Sequence, residues 1–170
     1  MKKITHINQV PPDKGHYIAG FVDGEGSFYI SARKRTDYLS GWSFELHFNI
    51  SNRDLAIMQI CKKFLGCGLI RQTRPGFYTL EVENRKTLST YIIPFFKKFG
   101  FLSNKKKTEF RIFQHALILL EQGINTPKNL EQLLQLRKRL NEFRNTRITN
   151  TDSIILASFN FVKESSETIR

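Results

Sequence analysis

Cysteine, tryptophan and acid are all scarce in this chain of 170 residues. Its two cysteines, Cys61 and Cys67, are too few and wrongly spaced for a four-ligand zinc site, and a reducing compartment keeps them as thiols. The four histidines, His6, His16, His47 and His115, are scattered and make no HExxH-like array. No apolar run approaches the roughly 20 residues that span a bilayer, and no signal-peptide pattern opens the chain, so the expectation is an intracellular protein with no membrane span. Low-complexity segments and internal repeats are missing as well. What is left is one domain over 1–170, with 1–12 as an N-terminal arm and 127–170 as a C-terminal helical part.

The shortage of acid is informative, because 27 Lys plus Arg stand against 15 Asp plus Glu for a net +12. That sign favours a polyanionic partner, either nucleic acid or an anionic membrane surface.

Hydrophobic period then divides the chain. Pro11-Pro12-Asp13 closes a polar arm and offers Asp13 as a helix cap. After Gly26 the period becomes two. Phe28, Ile30 and Ala32 share one face, with Tyr29, Ser31, Arg33 and Arg35 on the other. Trp42 to Arg53 alternates likewise: Trp42, Phe44, Leu46, Phe48 and Ile50 point inward, and Ser43, Glu45, His47, Asn49, Ser51 and Arg53 outward. Leu55 to Leu65 reads as a helix closed by Gly66, and strands over Gly68 to Arg74 and Phe77 to Glu83 turn at Pro75-Gly76. Further helices are predicted over Thr87 to Phe99, Lys105 to Gln122, Leu130 to Phe143 and Asp152 to Lys163. The order αββαββα with a helical C-terminal addition predicts an α+β fold: a four-stranded antiparallel sheet, apolar toward the helices and polar, partly basic, on its other face.

One segment carries the chemistry. Tyr17 to Phe28 reads Tyr-Ile-Ala-Gly-Phe-Val-Asp-Gly-Glu-Gly-Ser-Phe, a helix that ends in two carboxylates among glycines. Acid at a helix C-terminus opposes the helix dipole, a penalty that suggests a function for it. Gly20 and Gly24 lie four apart with Ala19 adjacent, and glycine costs about 1 kcal/mol relative to alanine inside a helix, so the spacing implies close approach by another helix. No second copy of the segment occurs in the chain. The simplest partner is therefore the same helix of a second subunit, with Ala19, Gly20, Asp23 and Gly24 at the interface. Pairing brings two copies of Glu25 together, which repel unless protonated or bridged by a cation, and carboxylates with a backbone carbonyl suit Mg²⁺.

Ile18 to Gly26, Ile-Ala-Gly-Phe-Val-Asp-Gly-Glu-Gly, resembles the LAGLIDADG motif of homing endonucleases, and a single motif in this length resembles their homodimeric branch. Tyr91-Ile-Ile-Pro-Phe-Phe and Leu102-Ser-Asn-Lys-Lys-Lys-Thr-Glu-Phe110 resemble later family segments. A departure is Glu25, where many members carry aspartate. The resemblance implies a saddle-shaped sheet on double-stranded DNA and hydrolysis of both strands of a long pseudo-palindromic site with Mg²⁺ or Mn²⁺. Glu25 and the carbonyl of Gly24 are then the metal ligands, with Glu25, Lys105 and Asn52 the catalytic residues: Lys105 stabilises transition-state charge and Asn52 orients water, although Asn52 or Asp54 can equally cap the following helix.

For the DNA face the expected residues are Tyr29, Ser31, Arg33, Arg35, Ser43, Glu45, His47, Asn49, Arg71, Thr73, Thr79 and Glu81, with Arg53, Lys107, Arg144 and Arg147 toward phosphates. Arg33, Arg35 and Arg71 suit guanine, Asn49 adenine, and Glu45 or Glu81 cytosine. The rival readings are an intron RNA maturase on the same fold and a non-catalytic DNA-binding repressor. The resemblance also implies an intron-encoded protein of an organelle, chloroplast or mitochondrion, or of a microbial cytoplasm.

Overall fold

Each change of hydrophobic period in the sequence marks an element boundary in the computed structural model, which describes residues 7–144 and 151–160. After a 3₁₀ turn at Ile7–Gln9 come α1 (Pro12–Glu25), β1 (Gly26–Lys34), β2 (Trp42–Asn52), α2 (Leu55–Leu65), β3 (Leu69–Arg74) and β4 (Phe77–Val82). One helical stretch then runs through α3 (Arg85–Thr87), a π-helical turn (Leu88–Ile92) and α4 (Ile93–Phe99). The chain continues as α5 (Asn104–Gln122), α6 (Pro127–Phe143) and α7 (Thr151–Ser158). The αββαββα order with added C-terminal helices is the architecture the sequence predicts. The π turn has a local cause: Pro94 brings no N–H into the helix, and the turn before it widens so that Ile93 N–H reaches Leu88 O.

The sheet is antiparallel throughout in the order β1-β2-β4-β3, and its register sorts the side chains. Phe28 opposes Phe48 and Ile30 opposes Leu46 on one face, while Tyr29 opposes His47 and Ser31 opposes Glu45 on the other. Phe28, Ile30, Leu46, Phe48, Ile50, Leu80 and Val82 are all buried under the helices. Phe28 centres an aromatic cluster with Phe48, Phe96, Phe101, Phe110 and Phe113, ring centroids 4.9 to 6.1 Å away. Cys61 is sealed in this core, and burial pushes its thiol up to about 12, so it stays un-ionised at neutral pH.

Caps fix the helix ends that matter for the site. Asp54 caps α2, its side chain accepting from Ala56 N–H at 2.8 Å, and Gly66 closes that helix at φ 75°. Asp13 does not cap α1: the helix starts one residue earlier at Pro12, so Asp13 falls in the first turn and pairs with Lys14 at 3.1 Å. The glycine of α1 that admits a close neighbour in this chain is Gly15, where an added Cβ would sit 2.2 Å from the Phe99 ring.

At the other end, α6 packs on α5 and against β1, one of the two edge strands. An Arg137–Asp152 ion pair ties α6 to α7, and Trp42 Nε1 donates to Ser158 Oγ at 3.0 Å. Among the described residues no helix is long and apolar enough to cross a membrane.

Candidate functional site

Three segments converge on the last turn of α1. Gly26, the first residue of β1, pairs with Ile50 near the end of β2. The start of α5 is tied to the same point through Asp23, whose carboxylate accepts the N–H groups of Leu102 at 3.0 Å and Ser103 at 2.8 Å, and the Ser103 hydroxyl. Partial burial opposes ionisation of Asp23, but these bonds and the nearby Lys106 charge outweigh it and hold the carboxyl below the usual range. Asp23, expected at a subunit interface, thus has a role inside its own chain.

Lys106 supplies a second tie. Its Nζ donates to the Gly26 carbonyl at 2.6 Å and to Glu109 Oε2 at 2.7 Å, with Lys106 5% and Glu109 4% exposed. Neither residue was singled out from sequence. The signal was present in the spacing of Lys106 and Glu109, three apart on one helix face. Lys105, expected to be catalytic, projects into solvent with its Nζ 3.9 Å from Glu109 Oε1, and Lys107 is exposed.

Glu25 ends the helix in the open. Its carboxylate is exposed and has no hydrogen bond or ion pair to any described residue. Gly24 is exposed beside it, and since α1 stops at Glu25, the Gly24 carbonyl has no helical donor four residues on. A Cβ built at Gly20 or Gly24 would meet nothing within 4 Å. Ala19, expected on the same face, is a correction: it is 3% exposed and packs into the chain's own core, because it follows the buried Ile18 around the helix. The open face consists of Tyr17, Gly20 and Gly24. Asn52 lies at the end of β2, where its Oδ1 accepts from Asp54 N–H at 2.9 Å, and Arg53 next to it is exposed.

On the sheet face, register brings together Asn49 with Glu81, Ser51 with Thr79 at 2.8 Å between hydroxyls, and Arg71 with Thr79. Arg33 is exposed with its Nε 3.7 Å from Glu45, and Arg71 is exposed. Arg35 lies past the end of β1, held by both carboxylate oxygens of Asp37 at 2.8 and 2.6 Å. Thr73 sits at a bulge of β3 and donates to Phe77 O at 3.3 Å. Ser43 and His47 are on the expected face yet only 7% and 2% exposed, a correction to the reading that put them in solvent. The His47 ring is covered by Tyr29, stacked on it at 4.4 Å, and the Arg144 guanidinium lies over Tyr29 at 4.2 Å. Arg147 falls outside the described residues.

His47, Glu81 and Glu83 form a cluster that offers one ligand atom each, all within 4.8 Å of one another, so the chain carries a candidate divalent-metal site. The scattered histidines of the sequence concealed it, because only the pairing of β2 with β4 brings His47 beside acids more than thirty residues away. Burial and the adjacent Glu83 carboxylate push Glu81 above the usual carboxylate range.

Comparison with known proteins gives the architecture its relatives. The sequence pattern of the LAGLIDADG endonuclease family matches residues 18–117. A Neurospora crassa protein named probable intron-encoded endonuclease 2 is 28% identical over 129 residues, 74% of this chain and 28% of that protein. The chain therefore spans little more than a quarter of that relative. The crystal structure of the homing endonuclease I-TnaI superposes with a TM-score of 0.67 at 28% identity, covering 80% of this chain and 97% of that one. The archaeal intron-encoded homing endonuclease I-Vdi141I, solved in complex with DNA, gives 0.75 at 25% identity, covering 85% and 95%.

Proposed function

Because this chain belongs to the LAGLIDADG endonuclease family, we propose that it is a site-specific DNA endonuclease that hydrolyses both strands of a long pseudo-palindromic site as a homodimer with Mg²⁺ or Mn²⁺. The observation that carries this reading is Glu25, an exposed carboxylate with no partner among the described residues, at the end of a helix whose Gly20 and Gly24 face is open. Such a group suits a hard cation whose remaining ligands come from outside the protomer, here a second Glu25 and DNA phosphate oxygens. Glu25 and the Gly24 carbonyl would hold the ion, which when bound activates water and offsets charge on the departing oxygen.

The chain's other groups act around that point. The bond from Lys106 to Gly26 O fixes the start of β1 and so the direction in which Glu25 leaves the helix. Lys105, exposed and only loosely paired with Glu109 at 3.9 Å, can approach a phosphate and stabilise charge in the transition state. Asn52 has its oxygen engaged by Asp54, so its contribution to water orientation would be through its NH₂ group. Arg33, Arg71 and Asn49 offer base-reading groups, while Arg53, Lys107 and Arg144 contribute to phosphate affinity. Arg35 must exchange Asp37 for DNA to take part. The family's intron-encoded members make an intron of an organelle or microbial genome the natural setting for the gene.

Selection of cleavable duplexes from a randomised library in Mg²⁺ tests the reading. The wild-type chain should enrich a long, roughly symmetric site, and Glu25→Gln should lose cleavage of it by at least about a hundredfold while binding is retained. Cleavage that survives Glu25→Gln would falsify the metal assignment. Tight, salt-dependent binding with no product from any duplex would instead identify a repressor, and splicing supported by the variant an RNA maturase.

A further inference from the structure

The cluster on the sheet face is not accounted for by the Glu25 centre. Gly26, next to Glu25, and the Tyr29–His47 pair are three residues apart along β1, roughly 10 Å at strand rise. We infer that His47, Glu81 and Glu83 form a second, separate divalent-metal site of transition-metal character, and that its occupancy sets the charge of the DNA-facing surface.

The ligand geometry comes from strand register. Phe48 opposes Val82 and Asn49 opposes Glu81, so continuing the register puts Glu83, just beyond β4, opposite His47, with Glu81 two positions along on the same face of the sheet. His47 Nδ1 lies 2.8 Å from Glu83 Oε1 and 3.8 Å from Glu81 Oε1. Ligands arranged tetrahedrally about 2.0–2.2 Å from a zinc ion stand roughly 3.3–3.6 Å apart, so small rotations within this cluster suffice to close on an ion.

An independent observation lies on the imidazole. The His47 side chain is 3% exposed, and its Nδ1 is shielded from solvent with no hydrogen-bond partner among the described residues, since Glu83 at 2.8 Å is off the direction an N–H would take. The other nitrogen is satisfied: Nε2 lies 2.9 Å from Ser31 Oγ, with Glu45 further off at 3.8 Å. When Nε2–H donates to Ser31, Nδ1 turns a lone pair toward two carboxylates, and three lone-pair groups converge on one small volume. A cation relieves that conflict. A hydroxyl or carbonyl holding the far N–H is the usual outer partner of a metal-bound histidine. Tyr29 stacked on the ring fixes its plane.

The donor set selects the ion. One imidazole nitrogen and two carboxylates favour Zn²⁺ and its first-row neighbours over Mg²⁺, which prefers oxygen and retains its waters. Glu83 has 48% of its side chain in solvent, which leaves the ion a way in. Two carboxylates otherwise put a doubly negative patch on a face meant for phosphate-bearing DNA, and a divalent ion neutralises it. Metal loading should therefore raise DNA affinity without any role in bond breaking.

The test is a Co²⁺ titration of chelator-stripped protein without DNA or Mg²⁺, followed by d–d absorption. Expected is about one Co²⁺ per protomer, displaced by Zn²⁺ and not by a large excess of Mg²⁺. Glu83→Gln, at a half-exposed side chain, should weaken Co²⁺ binding by at least about tenfold, and Glu25→Gln should leave it unchanged. His47→Gln should do the same as Glu83→Gln; because His47 is buried, circular dichroism accompanies it, and the Glu83 variant decides if it does not fold. Failure to develop an absorption band, binding indifferent to Glu83→Gln, or loss of binding in Glu25→Gln overturns the assignment. Each of these outcomes is separable from the cleavage test, which reads DNA products in Mg²⁺.

Discussion

Lys105 and Lys106 are neighbours in a run of three lysines and have opposite environments. The first is in solvent; the second is buried between a backbone carbonyl and a carboxylate. Helical phase decides which is which: Lys106 shares its face with Glu109, Phe110 and Phe113, the side of α5 that covers the sheet. A run of identical residues hides that phase, so the segment alone did not show which lysine of the run is buried. Replacing Lys106 by Met leaves buried Glu109 with only the looser 3.9 Å contact to Lys105 and should cost about 3–5 kcal/mol in urea denaturation, as broken buried pairs do. Lys105→Ala should change that stability by no more than about 0.5 kcal/mol. Equal stabilities for the two variants would contradict the burial of this ion pair. Glu25 was legible for the opposite reason. A charged residue placed against a helix dipole between glycines has little structural rationale, and it is exposed with no partner among the described residues.

At the scale of elements, periodicity carried the most information. The alternation in β1 and β2 gave both faces of the sheet, and Leu55–Leu65 is the helix its spacing predicts. Missed were features that depend on a partner far along the chain. Asp23 reads from sequence as an interface residue beside Gly24, yet its carboxylate holds the N-terminus of α5 some eighty residues away. Ser43 and His47 read as solvent-facing because alternation says which face a side chain occupies and nothing about what lies above that face. Asp23→Ala should cost about 1–2 kcal/mol, the range for a lost helix-end acceptor. Its pH dependence has a definite sign. The folded carboxyl is held below its unfolded value of about 3.9, so its stabilisation is fully present above that pH and disappears as pH falls through the lower folded value. The stability gap between wild type and Asp23→Ala should thus be flat near neutrality and close below about pH 4; a gap that widened in acid would refute the tether.

The whole molecule has a net charge of +12, a polar sheet face and a helix whose Gly20 and Gly24 face open space. Pairing through that helix is what would turn one exposed carboxylate into a two-carboxylate centre over DNA. Gly20 provides a clean probe, since a side chain there meets nothing within 4 Å in the protomer and glycine is a poor helix former, worth about 1 kcal/mol against a better residue. Gly20→Leu should leave the protomer at least as stable as wild type while blocking close approach of a second α1. Sedimentation of wild type and Gly20→Leu on a duplex recovered by the cleavage selection measures this directly. The account predicts two protomers per duplex for wild type, and for Gly20→Leu a single protomer that no longer cuts both strands. One wild-type protomer per duplex with double-strand cleavage intact, or a Gly20→Leu chain that still assembles in pairs and cuts, would contradict it.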